Sequence, residues 1–267
     1  MGLMQVTFLA VFCSAAMAAA WLIQRRTGKS GWIDTIWTLA TGIAGVLAAW
    51  LFSNESSDGR ALLAAAMVTL WALRLAGHIG IRTRIHGEDA RYAALMTEWG
   101  ADAPFQLFRF LQIQALAAFA LAIVVGVAAA NPHPFPALTD VLALAIFAAG
   151  WMGATLADRQ LEAFRQANRG RKAICEVGLW HYSRHPNYFF EWLGWWAYPL
   201  LAIDLSGGNP FGWLALMGPA LMYFFLVHAS GIPPLEKQML ASRGEAARQW
   251  QARVNAFFPG PRRENST

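Results

Sequence analysis

Seven apolar runs dominate this chain and leave it few possible folds: Leu3 to Ile23, Trp32 to Phe52, Ala61 to Ile81, Leu107 to Ala130, Leu138 to Ala157, Tyr188 to Leu205 and Phe211 to Ser230. Crossing a hydrocarbon core takes about 20 residues of helix, and within lipid a helix satisfies its own backbone polar groups. The runs therefore predict an all-α integral membrane protein with about seven transmembrane helices. Composition agrees, since 57% of residues are hydrophobic and 14% charged, against roughly a quarter charged in soluble domains.

The basic residues fall unevenly between the runs. The first connection carries Arg25, Arg26 and Lys29, the third Arg82, Arg84 and Arg91, the fifth Arg159, Arg165, Arg169, Arg171, Lys172 and Arg184, and the tail Lys237, Arg243, Arg248, Arg253, Arg262 and Arg263. The second, fourth and sixth connections together hold only Arg60. Short loops rich in Lys and Arg stay cytoplasmic, so the N-terminus is expected outside and the C-terminus in the cytoplasm, in a multi-pass protein of the inner (plasma) membrane. The net charge of +5 is then a sidedness signal, and no nucleic-acid partner is expected. The first run is read as an uncleaved span, because its basic pair follows it rather than precedes it.

Cys13 and Cys175 lie too far apart in this topology to pair, and no CxxC, HExxH or clustered His and Cys suggests a metal. His78, His86, His133 and His228 are scattered and read as solvated or interfacial. There is no internal repeat. One membrane-embedded domain over residues 1–267 is expected, with 1–130 forming the helices around a substrate cavity and 131–267 the cofactor-binding part and a short cytoplasmic tail.

Ionisable residues inside apolar runs are costly and face a partner or a wet cavity. Asp34, Arg74, Asp158 and Glu191 are of this kind, and all four fall near the cytoplasmic ends of their runs. Asp34 and Arg74 suit either a structural ion pair or a catalytic pair. Asp140 and Asp204 lie at outer ends, where interfacial solvation accounts for them. The third and fifth connections are longer than joining two helices requires. In the third, "GEDARY" (Gly87 to Tyr92) either closes over the site as a lid, through Glu88, Asp89 and Arg91, or pairs with the basic fifth connection at a solvated surface.

The fifth connection ends in "GLWHYSRHPNYFFE", a string of hydrogen-bonding side chains running into a Trp-rich apolar run. Pro186 suits the first turn of a helix and leaves free N–H groups pointing at the loop, which is an anion site. Arg165, Arg169, Arg171, Lys172 and Arg184 give enough positive charge nearby for a polyphosphate. Asn187 and Glu191, four apart, share one helix face.

The string resembles the C-terminal signature of the steroid 5-alpha-reductase superfamily, in the form of its bacterial branch. "GWIDTIWTL", "RYAAL", "ADRQLEAFR" and "PPLEKQMLASRGEAARQWQARVNAFFPGP" extend the resemblance over nearly the whole chain. It implies a seven-helix reductase that takes NADPH from the cytoplasm and reduces a carbon–carbon double bond of a lipophilic substrate lying among membrane lipids. Asp158 and Arg165 match the family's contacts to the adenosine and phosphate end, while Asn187 and Glu191 match those near the nicotinamide. Lys172, Tyr182, Arg184, His185, Tyr188 and Glu236 complete the candidate cofactor set. The family often has Asn four residues before the aspartate, where this chain has Ala154.

Family members acting on 3-oxo-4-ene steroids carry a Gln-Glu pair in the second span and a Tyr in the third. Here the counterparts are Ile33 with Asp34, and Trp71 with Arg74 beyond it. Asp34 is the candidate proton donor, Tyr92 the next, and Arg74 the third catalytic candidate. "RHP-x-Y" and a tail with Glu and a final Phe-Pro also resemble isoprenylcysteine carboxyl methyltransferases, which implies S-adenosylmethionine instead. A non-enzymatic receptor or scaffold is the remaining alternative, and it leaves the cofactor-like loop unexplained.

Overall fold

The computed structural model describes residues 2–53, 58–86 and 89–263, and among these the chain is helical with no strand. Among the described residues six segments are long and apolar enough to cross a membrane: Leu3–Thr27, Trp32–Phe52, Asp58–Arg84, Arg91–Ala129, Leu138–Ala167 and Pro210–Arg243. The protein is an all-α integral membrane protein. The remaining expected span, Tyr188 to Leu205, is broken into two short helices.

The chain forms two compact units, one of 1–141 with 198–218 and the other of 142–197 with 219–267. In the first, α1 (Leu3–Thr27), α2 (Trp32–Phe52) and α3 (Asp58–His86) precede a short α4 (Ala90–Trp99) and the long α5 (Ala103–Ala129). Helix α5 packs against α1, α2, α3 and α4, and from Leu121 to Ala129 every residue is buried. Small residues make this closeness possible. A Cβ on Gly45 would lie 3.0 Å from a Val68 methyl, and one on Gly126 would run into Phe52. In lipid there is no hydrophobic drive between helices, so packing at such small-residue faces supplies the association.

Helix α1 stops at Gly28, whose φ of 70° suits a residue without a Cβ, and Arg25 and Arg26 lie in its last turn where the helix dipole favours cations. At its other end Gln5 donates to the Leu51 carbonyl of α2 at 2.7 Å. Asp140 departs from expectation. It is 2% exposed and bound at 2.7 Å to Arg60, itself 1% exposed, and Arg60 also donates to the carbonyls of Asn131, His133 and Pro134. A buried carboxylate requires such a partner, so Asp140 is a structural anchor and not an interfacially solvated end residue.

In the second unit α6 (Leu138–Ala167, from residue 142 onward) crosses α7 (Pro186–Trp195) at two glycines. A Cβ on Gly150 would lie 2.6 Å from the Gly194 nitrogen, and one on Gly153 would enter the Phe190 ring. Helix α7 begins at Pro186 and ends at Trp195, and α8 (Ala197–Ala202) follows after one residue. Pro199 is the reason for the break: it has no N–H to give the Trp195 carbonyl four residues earlier, and its ring crowds that oxygen. Proline is tolerated in a first turn, so a new helix starts just before it. Helix α9 (Met217–Tyr223) runs through a π-turn at Phe224–Ala229 into α10 (Ile232–Arg243) and α11 (Glu245–Arg253).

Candidate functional site

The residues singled out in the sequence fall into two polar clusters, one in each unit. In the first, Asp89 caps α4, its carboxylate accepting from the Arg91 backbone N–H at 3.0 Å, and the Asp89 backbone N–H donates to the Ser30 hydroxyl at 3.1 Å. Burial pushes the Asp89 carboxyl up, but the hydrogen bonds and charge of Arg91, with Arg82 adding, outweigh this and hold it below the usual carboxylate range. The cap fixes the start of α4, so that Arg91 reaches Asp34 of α2 and Tyr92 donates to the same carboxylate at 2.7 Å. Gln114 of α5 donates to the Tyr92 oxygen at 3.0 Å. The Tyr92 ring packs edge-on against Phe110 with centroids 6.2 Å apart.

Asp34 therefore takes its charge partner from Arg91, while Arg74 is half-buried on α3. Tyr92, ranked behind Asp34 in sequence, is in direct contact with it. Of "GEDARY", Gly87 and Glu88 lie outside the described residues, and Asp89 and Arg91 are tied to each other and, through Ser30 and Asp34, into the first unit. Gln114 is the residue that sequence reasoning passed over. Its signal was the "LQIQAL" stretch, because a polar side chain within an apolar span is as informative as an ionisable one once it faces the interior.

In the second unit the loop before α7 is gripped by the tail. Arg184 forms a two-toothed pair with Glu236, at 2.6 and 3.0 Å, and donates to the carbonyls of Gln251 and Val254. Its guanidinium also lies 5.9 Å over the Trp250 ring. His185 meets the same carboxylate at 3.2 Å and stacks on Tyr188, the planes 11° apart. Burial lowers the His185 pKa below 6.5, and the Arg184 charge works the same way, against the pull of Glu236. The tail is further held by Ser183 donating to the Phe257 carbonyl at 2.9 Å and Gly260 donating to that of Tyr182 at 3.0 Å.

Beyond the clasp, Asn187 in the first turn of α7 donates to Asp158 of α6 at 3.0 Å. Its Oδ1 is buried and has no hydrogen-bond partner among the described residues. Glu191 lies one turn further along α7 and is buried. Arg165 and Lys172 are exposed, as is Tyr182. Arg184 differs from its expected role: its donors are already taken by Glu236 and two carbonyls, which makes it the clamp of the tail, whereas Arg159, Arg165, Arg169, Arg171 and Lys172 are exposed.

The fold defines a multi-pass membrane protein. The chain belongs to the family described as "Protein of unknown function (DUF1295)", whose profile matches residues 20–254. No curated protein and no solved structure matches the chain significantly.

Proposed function

We propose that this protein is an NADPH-dependent membrane oxidoreductase that reduces a carbon–carbon double bond of a lipophilic substrate, as its resemblance to the steroid 5-alpha-reductase superfamily implies. The observation that carries the reading is the Asn187 to Asp158 hydrogen bond of 3.0 Å. It joins two separately recognisable strings, "ADRQLEAFR" and "RHPNYFFE", and leaves the buried Asn187 Oδ1 unsatisfied. An unmet buried acceptor is costly unless a ligand donor meets it, and the carboxamide of a nicotinamide is such a donor.

The chain's own groups fit the cofactor. Asn187, held by Asp158, and Glu191 would hold the nicotinamide end, and Arg165 and Lys172 the phosphates. Arg184, His185 and Glu236 act by fixing the loop against the tail. NADPH, when bound, supplies the hydride. Within the first unit Tyr92 would be the proton donor, its phenol oriented by Asp34 and Gln114, with Arg91 paired to Asp34.

A second reading follows from the Arg184, His185 and Glu236 clasp, since those residues also match the membrane methyltransferases that use S-adenosylmethionine. Melting temperatures measured with NADPH, NADH and S-adenosylmethionine separate the two, because a selective binder is stabilised by its own ligand. NADPH is expected to stabilise most. Stabilisation by S-adenosylmethionine with none by NADPH sinks the reductase reading.

A further inference from the structure

Helices α1 and α5 meet at a corner of the first unit that the proposed function does not use. Trp21 of α1 donates its indole N–H to the Pro104 carbonyl at the start of α5, at 2.8 Å, and two turns back along α1 the Ser14 hydroxyl donates to Oε1 of Gln112 at 2.7 Å. The last turns of α1 therefore lie beside the first turns of α5, running antiparallel. Trp21 also meets Phe108 edge-on, with centroids 5.5 Å apart. Two guanidinium groups are held over rings at this corner: Arg25 lies 5.4 Å from the Trp21 centroid and Arg109 lies 5.8 Å from that of Phe105. Both arginines are exposed. Glu98 and Asp102, the exposed carboxylates just before α5, pair with neither of them among the described residues.

Depth puts both charges where lipid headgroups lie. About 20 residues of helix cross the hydrocarbon core, and that many counted back from the end of the α5 apolar run at Ala130 reach Leu111. Arg109 is then about 3 Å further out, at a rise of about 1.5 Å per residue, and Arg25 stands the same distance past Ile23, where the α1 run ends. On α5, Phe105, Arg109, Ile113 and Leu116 follow one another at helical spacing on one face, and all four are exposed. Leu22 is exposed one turn before Arg25 on α1. The corner thus has two ring-held cations at its rim and bare apolar surface leading inward from them.

We propose that the corner between α1 and α5 binds an anionic phospholipid, its phosphate on Arg25 and Arg109 and an acyl chain along Ile113 and Leu116. Guanidinium groups suit a phosphate because their N–H forks bond two oxygens at once, and an arginine resting on a ring has less freedom to lose on binding. The charge of the headgroup follows from the same rings. They could attract the ammonium of a choline lipid, but they already hold guanidinium groups, so that ammonium would meet like charge. Basic sites between helices at a membrane face recognise anionic headgroups in this way. The site uses none of the residues assigned to the cofactor or the proton, so it stands whether or not the protein is a reductase.

The test uses the full-length protein in detergent, with phosphatidylglycerol and phosphatidylcholine of identical acyl chains as probes and native mass spectrometry to read the bound lipid. Phosphatidylglycerol is expected to bind roughly ten- to thirtyfold more tightly, the worth of two basic residues at a membrane surface. Replacing Arg25 and Arg109 together with Gln should bring the two lipids level, while Arg26→Gln, which removes an equally exposed charge from the same turn of α1, should leave most of the preference. If the double variant does not purify, Arg25→Gln and Arg109→Gln taken singly should each lower the preference by roughly three- to fivefold. Glycerol 3-phosphate, which has the phosphate without the chains, should not displace the lipid. Equal binding of the two lipids to the unaltered protein overturns the proposal, as does a preference that survives loss of both arginines. A loss in Arg26→Gln as large as in the double variant would reduce the effect to general surface charge, and displacement by glycerol 3-phosphate would make the site one for a soluble phosphate; either result also overturns it.

Discussion

Asp34 accepts from a guanidinium and a phenol at once, and this alters which group is the better proton source. A side chain in that position orients and polarises, while Tyr92 holds the proton, 2.7 Å away. Tyr92→Phe is therefore expected to lower turnover by roughly 10²–10⁴, the range of a general acid, with NADPH affinity unchanged. Asp34→Asn keeps an acceptor for the phenol but loses the pair with Arg91, so its loss of turnover should be smaller. Single-turnover measurements on both variants decide, and a normal Tyr92→Phe beside an inactive Asp34→Asn would return the proton to Asp34. Replacing Arg165 with Ala should cost about 1.5–3 kcal/mol in NADPH affinity, the scale of a lost charge-assisted hydrogen bond, as read by calorimetric titration.

His185 provides a residue-scale prediction with a definite sign. Its folded pKa lies below 6.5, so as pH falls the unfolded chain takes up the proton first. The stability it contributes is complete above about 6.5 and is lost as pH drops from there toward the folded value. Melting temperature should therefore fall between pH 7.5 and 5.5, and His185→Gln should flatten that fall. An equally steep fall in the variant would assign the pH dependence to other groups.

At the scale of elements, the crossing of α6 and α7 depends on Gly150 and Gly194. Gly150→Val should cost about 1–3 kcal/mol, as overpacking does, and should weaken NADPH binding as well, because Asp158 and Asn187 ride on those two helices. Thermal unfolding with and without NADPH measures both effects, and an unchanged melting temperature would mean that the crossing yields. Helices of this kind were legible in sequence wherever apolar length alone decides, as in α1, α2 and α5. The break between α7 and α8 was not read, although Pro199 carried the signal, because an apolar run conceals a missing N–H. Start of helix at Pro186 was legible for the opposite reason, since proline fits a first turn. The candidate site was legible as residue types and spacing in "RHPNYFFE". What spacing cannot give is which donors are already spent: Arg184 looked like a phosphate ligand until its five-donor head was seen to be engaged by Glu236 and the tail. Arg91 in place of Arg74 as the partner of Asp34 was hidden similarly, because the contact spans 57 residues of sequence and depends on the Asp89 cap.

At the scale of the whole molecule, the distribution of charge assigns the faces of the membrane. Connections one, three and five and the tail carry all the basic residues counted above except Arg60, and Arg60 is buried against Asp140, which removes the one basic residue from the outer count. Lys and Arg in short loops resist translocation, so 203–209 should face outside and 167–173 the cytoplasm, the side where NADPH is found. Ser57, in the second connection, lies outside the described residues, whereas Ser206 is exposed beside Leu205, and Ala167 is exposed at the end of α6. With buried Cys13 and Cys175 replaced by Ala, Ser206→Cys should react with an impermeant maleimide added to intact cells, and Ala167→Cys should react only after the membrane is opened. Reversed labelling would put Arg165 and Lys172 on the face away from the cytosolic cofactor and remove the physical basis for NADPH use. Labelling of both from outside would mean that the chain between them crosses an even number of times, so that α7–α8 does not span.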